Sequence, residues 1–305
     1  MAEHLQPAAL PPVTVSPKEG FFLGEFDAMA SPCELLIETQ DTHIARSITA
    51  LAAREAKRIE NKFSRYRPDS VVSHINCADG AAVEVDDETY RLLNFADTCF
   101  SLSNGLFDVT AGVLRKAWRF DGSDNVPEED TVTPLLANIG WQRTQLTETH
   151  FTLPPGMEID LGGIGKEYAV DKVAGSIKAS YPGISTVVNF GGDIQVTERR
   201  RLDKPWLIGI ENPVSASDAS TIVKIYQGGL ATSGDARRFL LKNGKRYSHI
   251  LNPFTGYPVE NPPRSVTVAA DNCTQAGLIA TLSMLQGAQA KSFLASQRVT
   301  HWIYD

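Results

Sequence analysis

A cation in the first turn of a helix opposes the helix macrodipole, and Lys166 stands in such a place in the run DLGGIGKEYAVD, Asp160–Asp171. Gly162, Gly163 and Gly165 let backbone approach a ligand closely, and a helix start offers unpaired N–H groups, so a bound phosphate would offset the lysine's cost. A tight turn with a solvated lysine fits the same residues equally well, and the glycine spacing is not that of the dinucleotide fingerprint G-x-G-x-x-G. In NFGGDIQV, Asn189–Val196, two glycines interrupt strand residues and Asp193 either caps a turn or faces a site. ATSGDARRF, Ala231–Phe239, sets Asp235 beside a basic pair, and KRYSHILNPFTGYPV, Lys245–Val259, places His249 on an expected strand before a Pro253–Gly256 turn. Imidazole titrates near neutrality and suits proton transfer, although a lone strand histidine is more often structural.

Elements that could position these groups are legible from periodicity. After Asp41, residues Ala45, Ile48, Ala52, Ala56, Ile59 and Phe63 recur on one helix face, and Tyr90, Leu93, Ala96 and Phe100 mark a second helix. Leu35–Glu38, Thr186–Phe190, Trp206–Ile210, Val266–Ala269 and Val299–Tyr304 read as strands, and Met157, Ile159 and Leu161 alternate as a half-buried strand would. A helix follows the glycine run, and two more are expected over Cys273–Leu285 and Ala288–Ala295. Residues 119–146 read as surface loops with one small helix. Four prolines in residues 1–20, Pro7, Pro11, Pro12 and Pro17, predict a flexible N-terminal arm.

Composition narrows the class. The 42% hydrophobic and 21% charged content is that of an ordinary folded protein, and 305 residues supply a large core. A net charge of −7 gives no general attraction to nucleic acid, so any phosphate must be held locally. No apolar run is long enough to span a bilayer, and the first twenty residues lack a signal-peptide pattern, which favours a cytoplasmic chain as it stands. Cys33, Cys77, Cys99 and Cys273 lack metal or redox spacing and are expected to be buried small apolar residues.

With three earlier runs added, the series resembles the ApbE family, the FAD:protein FMN transferases. Those runs are AMASPC (Ala28–Cys33), FSRYRPDS (Phe63–Ser70) and FDVT (Phe107–Thr110), followed in order by the glycine run, NFGGDI, ATSGD and SHILNPFTGYPV. The resemblance spans residues 21–305 and implies an α/β fold: a single large domain of mixed sheet and packed helices. It also implies a flavin site formed by Met29, Tyr66, Leu106, Phe107, Asp108, Asp160, Lys166 and Leu251. The aromatic and apolar members suit flat rings, and the carboxylates suit ribose or base hydroxyl and amine donors.

The family further implies Mg2+ held by a backbone carbonyl, mapping to Gly163, and by an Asp and a Thr four residues apart. Thr281 occupies the second of those positions, but Gly277 stands where the aspartate belongs. Because magnesium favours hard oxygen ligands including one or two carboxylates, loss of the aspartate weakens the site unless another ligand reaches it, with Asp193, Asp235 and the flavin phosphates as candidates; catalysis by cationic side chains in place of the metal is a further reading. The implied activity is transfer of FMN from FAD to a Thr or Ser hydroxyl of an acceptor protein with release of AMP. In that reaction His249 would move the proton, with Asp235 as an orienting or basic partner. The alternatives are an FAD pyrophosphatase, yielding FMN and AMP, or a non-catalytic FAD-binding protein that has lost its metal ligand. The expected partners are FAD and a flavin-accepting electron-transfer protein, and the family admits a periplasmic setting.

Overall fold

The computed structural model describes residues 12–213, 219–235 and 238–305. Its central sheet has eight strands: β1 (Thr14–Lys18), β2 (Phe21–Ala28), β3 (Ser31–Ile37), β4 (Thr186–Phe190), β5 (Asp193–Val196), β6 (Gly228–Gly234), β7 (Ser265–Ala270) and β8 (Thr300–Tyr304). They lie side by side in chain order, and every neighbouring pair is antiparallel. The α/β architecture agrees with expectation, but the sheet is not mixed. A parallel neighbour requires a crossover from one end of the sheet to the other, whereas each connection here, short or long, re-enters at the end it left.

The arm expected over residues 1–20 is corrected from Thr14 onward. Thr14–Lys18 pairs with Phe21–Glu25, so β1 belongs to the sheet. It is the edge strand, where Pro17 costs no ladder bond on its open side. Pro7 and Pro11 lie outside the described residues.

Helices α1 (Thr42–Phe63), α2 (Asp87–Leu102), α3 (Gly165–Ser180), α4 (Cys273–Leu285) and α5 (Ala290–Gln297) complete the framework. In chain order α1, α3 and α4 pack against one another and cover one sheet face. The Asp41 carboxylate starts α1 by accepting hydrogen bonds from the backbone N–H groups of His43 and Ile44. Its expected stripe from Ala45 to Phe63 is buried, and the alanines in it allow close approach to β2 and α3. On the other face, Trp206 and Ile225 of the hairpin Trp206–Glu211/Ala219–Ile225 cover Val187, Ile194, Val196 and Leu230. Neighbouring strand residues thus enter different cores, as at Val187 and Val188.

Met157, Ile159 and Leu161 are buried as their alternation required, but they form no strand. Asn76 takes the place of a strand partner. Its side-chain carbonyl accepts from the Ile159 N–H at 2.8 Å, and its amide donates to the Ile159 carbonyl at 3.0 Å. Substituting Asn76→Leu removes both partners from a buried backbone segment and is expected to destabilise the fold by about 2–4 kcal/mol, read as a fall in urea midpoint.

Residues 119–146 contain the expected small helix, Glu129–Leu136, yet Val132 and Trp141 are buried, so the segment contributes to the core. Cys33, Cys99 and Cys273 are buried and free, whereas Cys77 is exposed, at the end of the short helix Val71–Asn76. Among the described residues no helix is long and apolar enough to cross a membrane.

Candidate active site

The glycine run ends at the start of α3, where Ile164 makes no side-chain cap. Lys166 projects from the first turn, and its Nζ lies 2.7 Å from Asp193 Oδ2. Asp193 is almost wholly buried and also accepts from the Thr232 N–H of β6 at 3.3 Å. Burial works to lower the Lys166 pKa, but the Asp193 carboxylate outweighs it and holds the ammonium above its ordinary value. Burial likewise raises the Asp193 carboxyl against the opposing pull of Lys166. Asp193 thus meets part of the electrostatic need that Lys166 creates at a helix start.

The β2–β3 turn reaches the same place. A Cβ at Gly191 would stand 3.1 Å from Ser31 Cβ and 3.8 Å from Lys166 Nζ, which sets the NFGGD turn between that hairpin and the lysine. Met29 and Ala30 form this two-residue hairpin loop with φ of 54° at both residues. Such a loop ordinarily takes Asn-Gly, and each L-residue there carries about 1–2 kcal/mol of strain. The strain fixes Met29 at the loop apex, with its side chain partly buried against the core.

The other expected flavin residues divide into two groups. Asp160 accepts from the Gly162 N–H at 2.9 Å and from Arg65 at 2.6 Å, and Arg65 donates to the Tyr66 hydroxyl at 2.8 Å. Tyr66 is 80% exposed, which leaves its ring available to a partner. Phe107 packs against Gly163, where an added Cβ would meet the ring at 3.2 Å. Tyr66, Phe107, Asp160, Gly163 and Lys166 are therefore linked by direct contacts or by the glycine run.

Asp108 accepts from the Thr110 N–H and hydroxyl and from the Trp141 N–H, capping the 3-10 turn Val109–Lys116. Leu106 is partly buried in the main core. Leu251 bridges to Pro258 and packs in a separate cluster with Leu114, Trp118, Val132 and Leu240. The turn beyond it returns toward the site, because a Cβ at Gly105 would lie 3.2 Å from the Phe254 ring.

His249 is not on a strand; it follows the strand Lys245–Ser248 in a bend. Nor is Asp235 its hydrogen-bond partner. The His249 Nδ1 lies 3.2 Å from the Arg238 carbonyl, which can only accept, so Nδ1 carries the proton and Nε2 presents a lone pair. Burial lowers the imidazole's pKa, keeping it neutral and proton-accepting near pH 7. The Asp235 carboxylate is instead clamped by Arg246 at 3.0 Å and Arg264 at 2.7 Å. Two guanidiniums already satisfy it, so it is unsuited to act as a base or as the replacement metal acid.

Thr281 and Gly277 lie one helical turn apart on α4. Gly277 faces α3: a Cβ built there would stand 2.6 Å from Glu167 Cγ and 2.8 Å from Glu167 Oε1. The volume that a side chain at 277 would enter is filled by a glutamate from the neighbouring helix. Glu167 Oε2 is buried and has no hydrogen-bond partner. Burial, reinforced by the charge of Asp193, pushes this carboxyl well above the usual range. Among the described residues no three His, Cys, Asp or Glu groups form a ready cation cage. A cation that keeps waters and takes phosphate oxygens needs only one or two protein carboxylates, so this donor set is compatible with magnesium. Sequence reasoning overlooked Glu167 and Arg65. Arg65 adjoined the noted tyrosine, but Glu167 becomes visible only when α3 and α4 are packed together.

These features define an antiparallel-sheet α/β protein with a lysine–carboxylate cluster at a helix start and a neutral histidine in the bend after the strand Lys245–Ser248. Residues 29–303 match the model of the ApbE family. A relative from Vibrio cholerae named FAD:protein FMN transferase is 32% identical over 76% of this chain and 71% of its own length. One from Klebsiella pneumoniae with the same name is 30% identical over 88% and 84%. The crystal structure of the ApbE protein from Thermotoga maritima superimposes with a TM-score of 0.85 at 29% identity, covering 93% of this chain and 94% of the other. The flavin transferase ApbE from Vibrio cholerae gives 0.79 at 26% identity, covering 96% and 94%. The chain belongs to the ApbE family.

Proposed function

We propose that this protein is an FAD:protein FMN transferase that moves FMN from FAD onto a Thr or Ser hydroxyl of an acceptor protein. The observation that carries this reading is the joining of Tyr66, Phe107, Asp160, Gly163 and Lys166 around one helix start, in a chain whose relatives bear that name. The acceptor oxygen forms a bond to the FMN phosphorus, the pyrophosphate P–O bond breaks, and AMP departs with the bridging oxygen. His249 Nε2 takes the hydroxyl proton, because its neutral tautomer offers a lone pair there. Lys166 neutralises charge on the phosphates, and Asp193 orients it. Tyr66, Met29 and Phe107 present ring or apolar faces to the flavin, and Asp160 holds the glycine run and Arg65 in place.

A divalent cation would be held here by the Gly163 carbonyl, the Thr281 hydroxyl and a carboxylate. It would supply Lewis-acid stabilisation of the phosphate oxygens. The acceptor partner is an electron-transfer protein carrying flavin through a phosphoester bond.

The test is incubation of the protein with FAD, magnesium and an acceptor domain, followed by acceptor mass and released AMP. The acceptor is expected to gain the mass of FMN in step with AMP release. Free FMN with unmodified acceptor would instead identify water as the acceptor and the protein as a pyrophosphatase. Intact FAD in every condition would identify a flavin carrier.

A further inference from the structure

We infer that Glu167 is the metal-ligating carboxylate of this protein, delivered from α3 into the space that a side chain at position 277 of α4 would occupy. The inference rests on the transferase reading only for the presence of a divalent cation beside the flavin phosphates.

Two independent observations support it. Gly277 stands one turn before Thr281 on α4, and a side chain there would collide with Glu167. The Glu167 Oε2 is buried without a hydrogen-bond partner, an arrangement that is unfavourable unless something occupies the oxygen. A cation is the group that repays a buried carboxylate.

The other acids near the site are committed. Asp193 is paired with Lys166, and Asp235 lies between Arg246 and Arg264. The Gly163 carbonyl, two residues before α3, accepts no hydrogen bond among the described residues, so it and Glu167 offer two oxygens from the same helix start. The carboxylate has changed helix, while the ligand count and the hard-oxygen character stay the same.

The experiment measures Mn2+ binding by loss of the free-ion paramagnetic resonance signal, with FAD present, and FAD affinity separately by flavin fluorescence. Glu167→Gln keeps the shape of the side chain and removes its charge; it is expected to weaken Mn2+ binding by at least about tenfold. The reciprocal exchange Glu167→Gly with Gly277→Asp returns the carboxylate to α4 and is expected to recover most of that loss. Gly277→Asp alone is expected to fold less stably, because it adds both the collision and a second negative charge. Equal Mn2+ affinity in the wild type and Glu167→Gln overturns the assignment, as does a wild type that binds no Mn2+ in the presence of FAD. Neither result depends on flavin transfer, so failure of the transferase reading would appear separately, as acceptor that gains no mass while Mn2+ binding still requires Glu167.

Discussion

Replacing Lys166 by methionine is expected to reduce FMN transfer by about a hundredfold or more and to lower stability by about 3 kcal/mol. The two effects have different origins. The stability loss arises because Asp193 is left charged and almost wholly buried, and the figure is at the low end of the range because Lys166 retains 30% side-chain exposure. The rate loss arises because Lys166 is the cation carried in the first turn of that helix, whereas Arg65 is already engaged by Asp160. A double variant, Lys166→Met with Asp193→Asn, separates the two: thermal unfolding should show stability largely recovered, while acceptor mass should show transfer still lost. Retention of transfer in Lys166→Met would remove the lysine from the chemistry.

The second large effect concerns His249. Substitution by asparagine is expected to slow transfer by about 10²–10⁴-fold with little change in FAD affinity, measured as single-turnover rate and flavin fluorescence. The pH profile gives a sharper readout. The base is the neutral imidazole, so the wild-type rate rises with pH through the folded-state pKa of His249 and levels off above it. Burial moves that pKa below its ordinary 6.5, so the acid limb should lie on the low side of the usual imidazole range. In His249→Asn the remaining slow rate should lack this limb. A profile with the limb intact would assign the titration to another group.

Much of this fold was legible because its signals are local. The α1 stripe follows from 3.6-residue periodicity, and Asp41 capped it as a helix-starting acid should. Cys273–Leu285 is helical over the residues expected, although its buried residues lie nearly all round it rather than on one face. Local pattern failed where a distant residue supplied the partner. Met157–Leu161 alternates like a strand, but Asn76 provides hydrogen bonds that a neighbouring strand would otherwise make.

The family resemblance pointed to Lys166, Asp160, Tyr66 and Phe107, which the fold brings together, yet the sequence could not tell which carboxylates were already engaged. Asp235 and Asp108 are acids next to motif glycines or aromatics. Only the positions of Arg246, Arg264, Thr110 and Trp141 reveal that both carboxylates already have partners within the fold. Glu167 was missed for the converse reason, since its distinguishing property is the lack of a side chain more than a hundred residues away.

The strand order has a consequence for how the molecule is made. β3 and β4 are neighbours in the sheet, but residues 38–185 separate them, and the site draws on both sides of that gap through Met29 and Asp193. Closing so long a loop is entropically unfavourable until the pairing and the α1–α3 contact form together, which raises contact order and slows folding. During synthesis, β1–β3 leave the ribosome with one edge unpaired for the whole of that interval. The exposed edge is the nascent chain's chief aggregation hazard, because α1 packs on β1 and β2 and covers the face of that unit rather than the β3 edge.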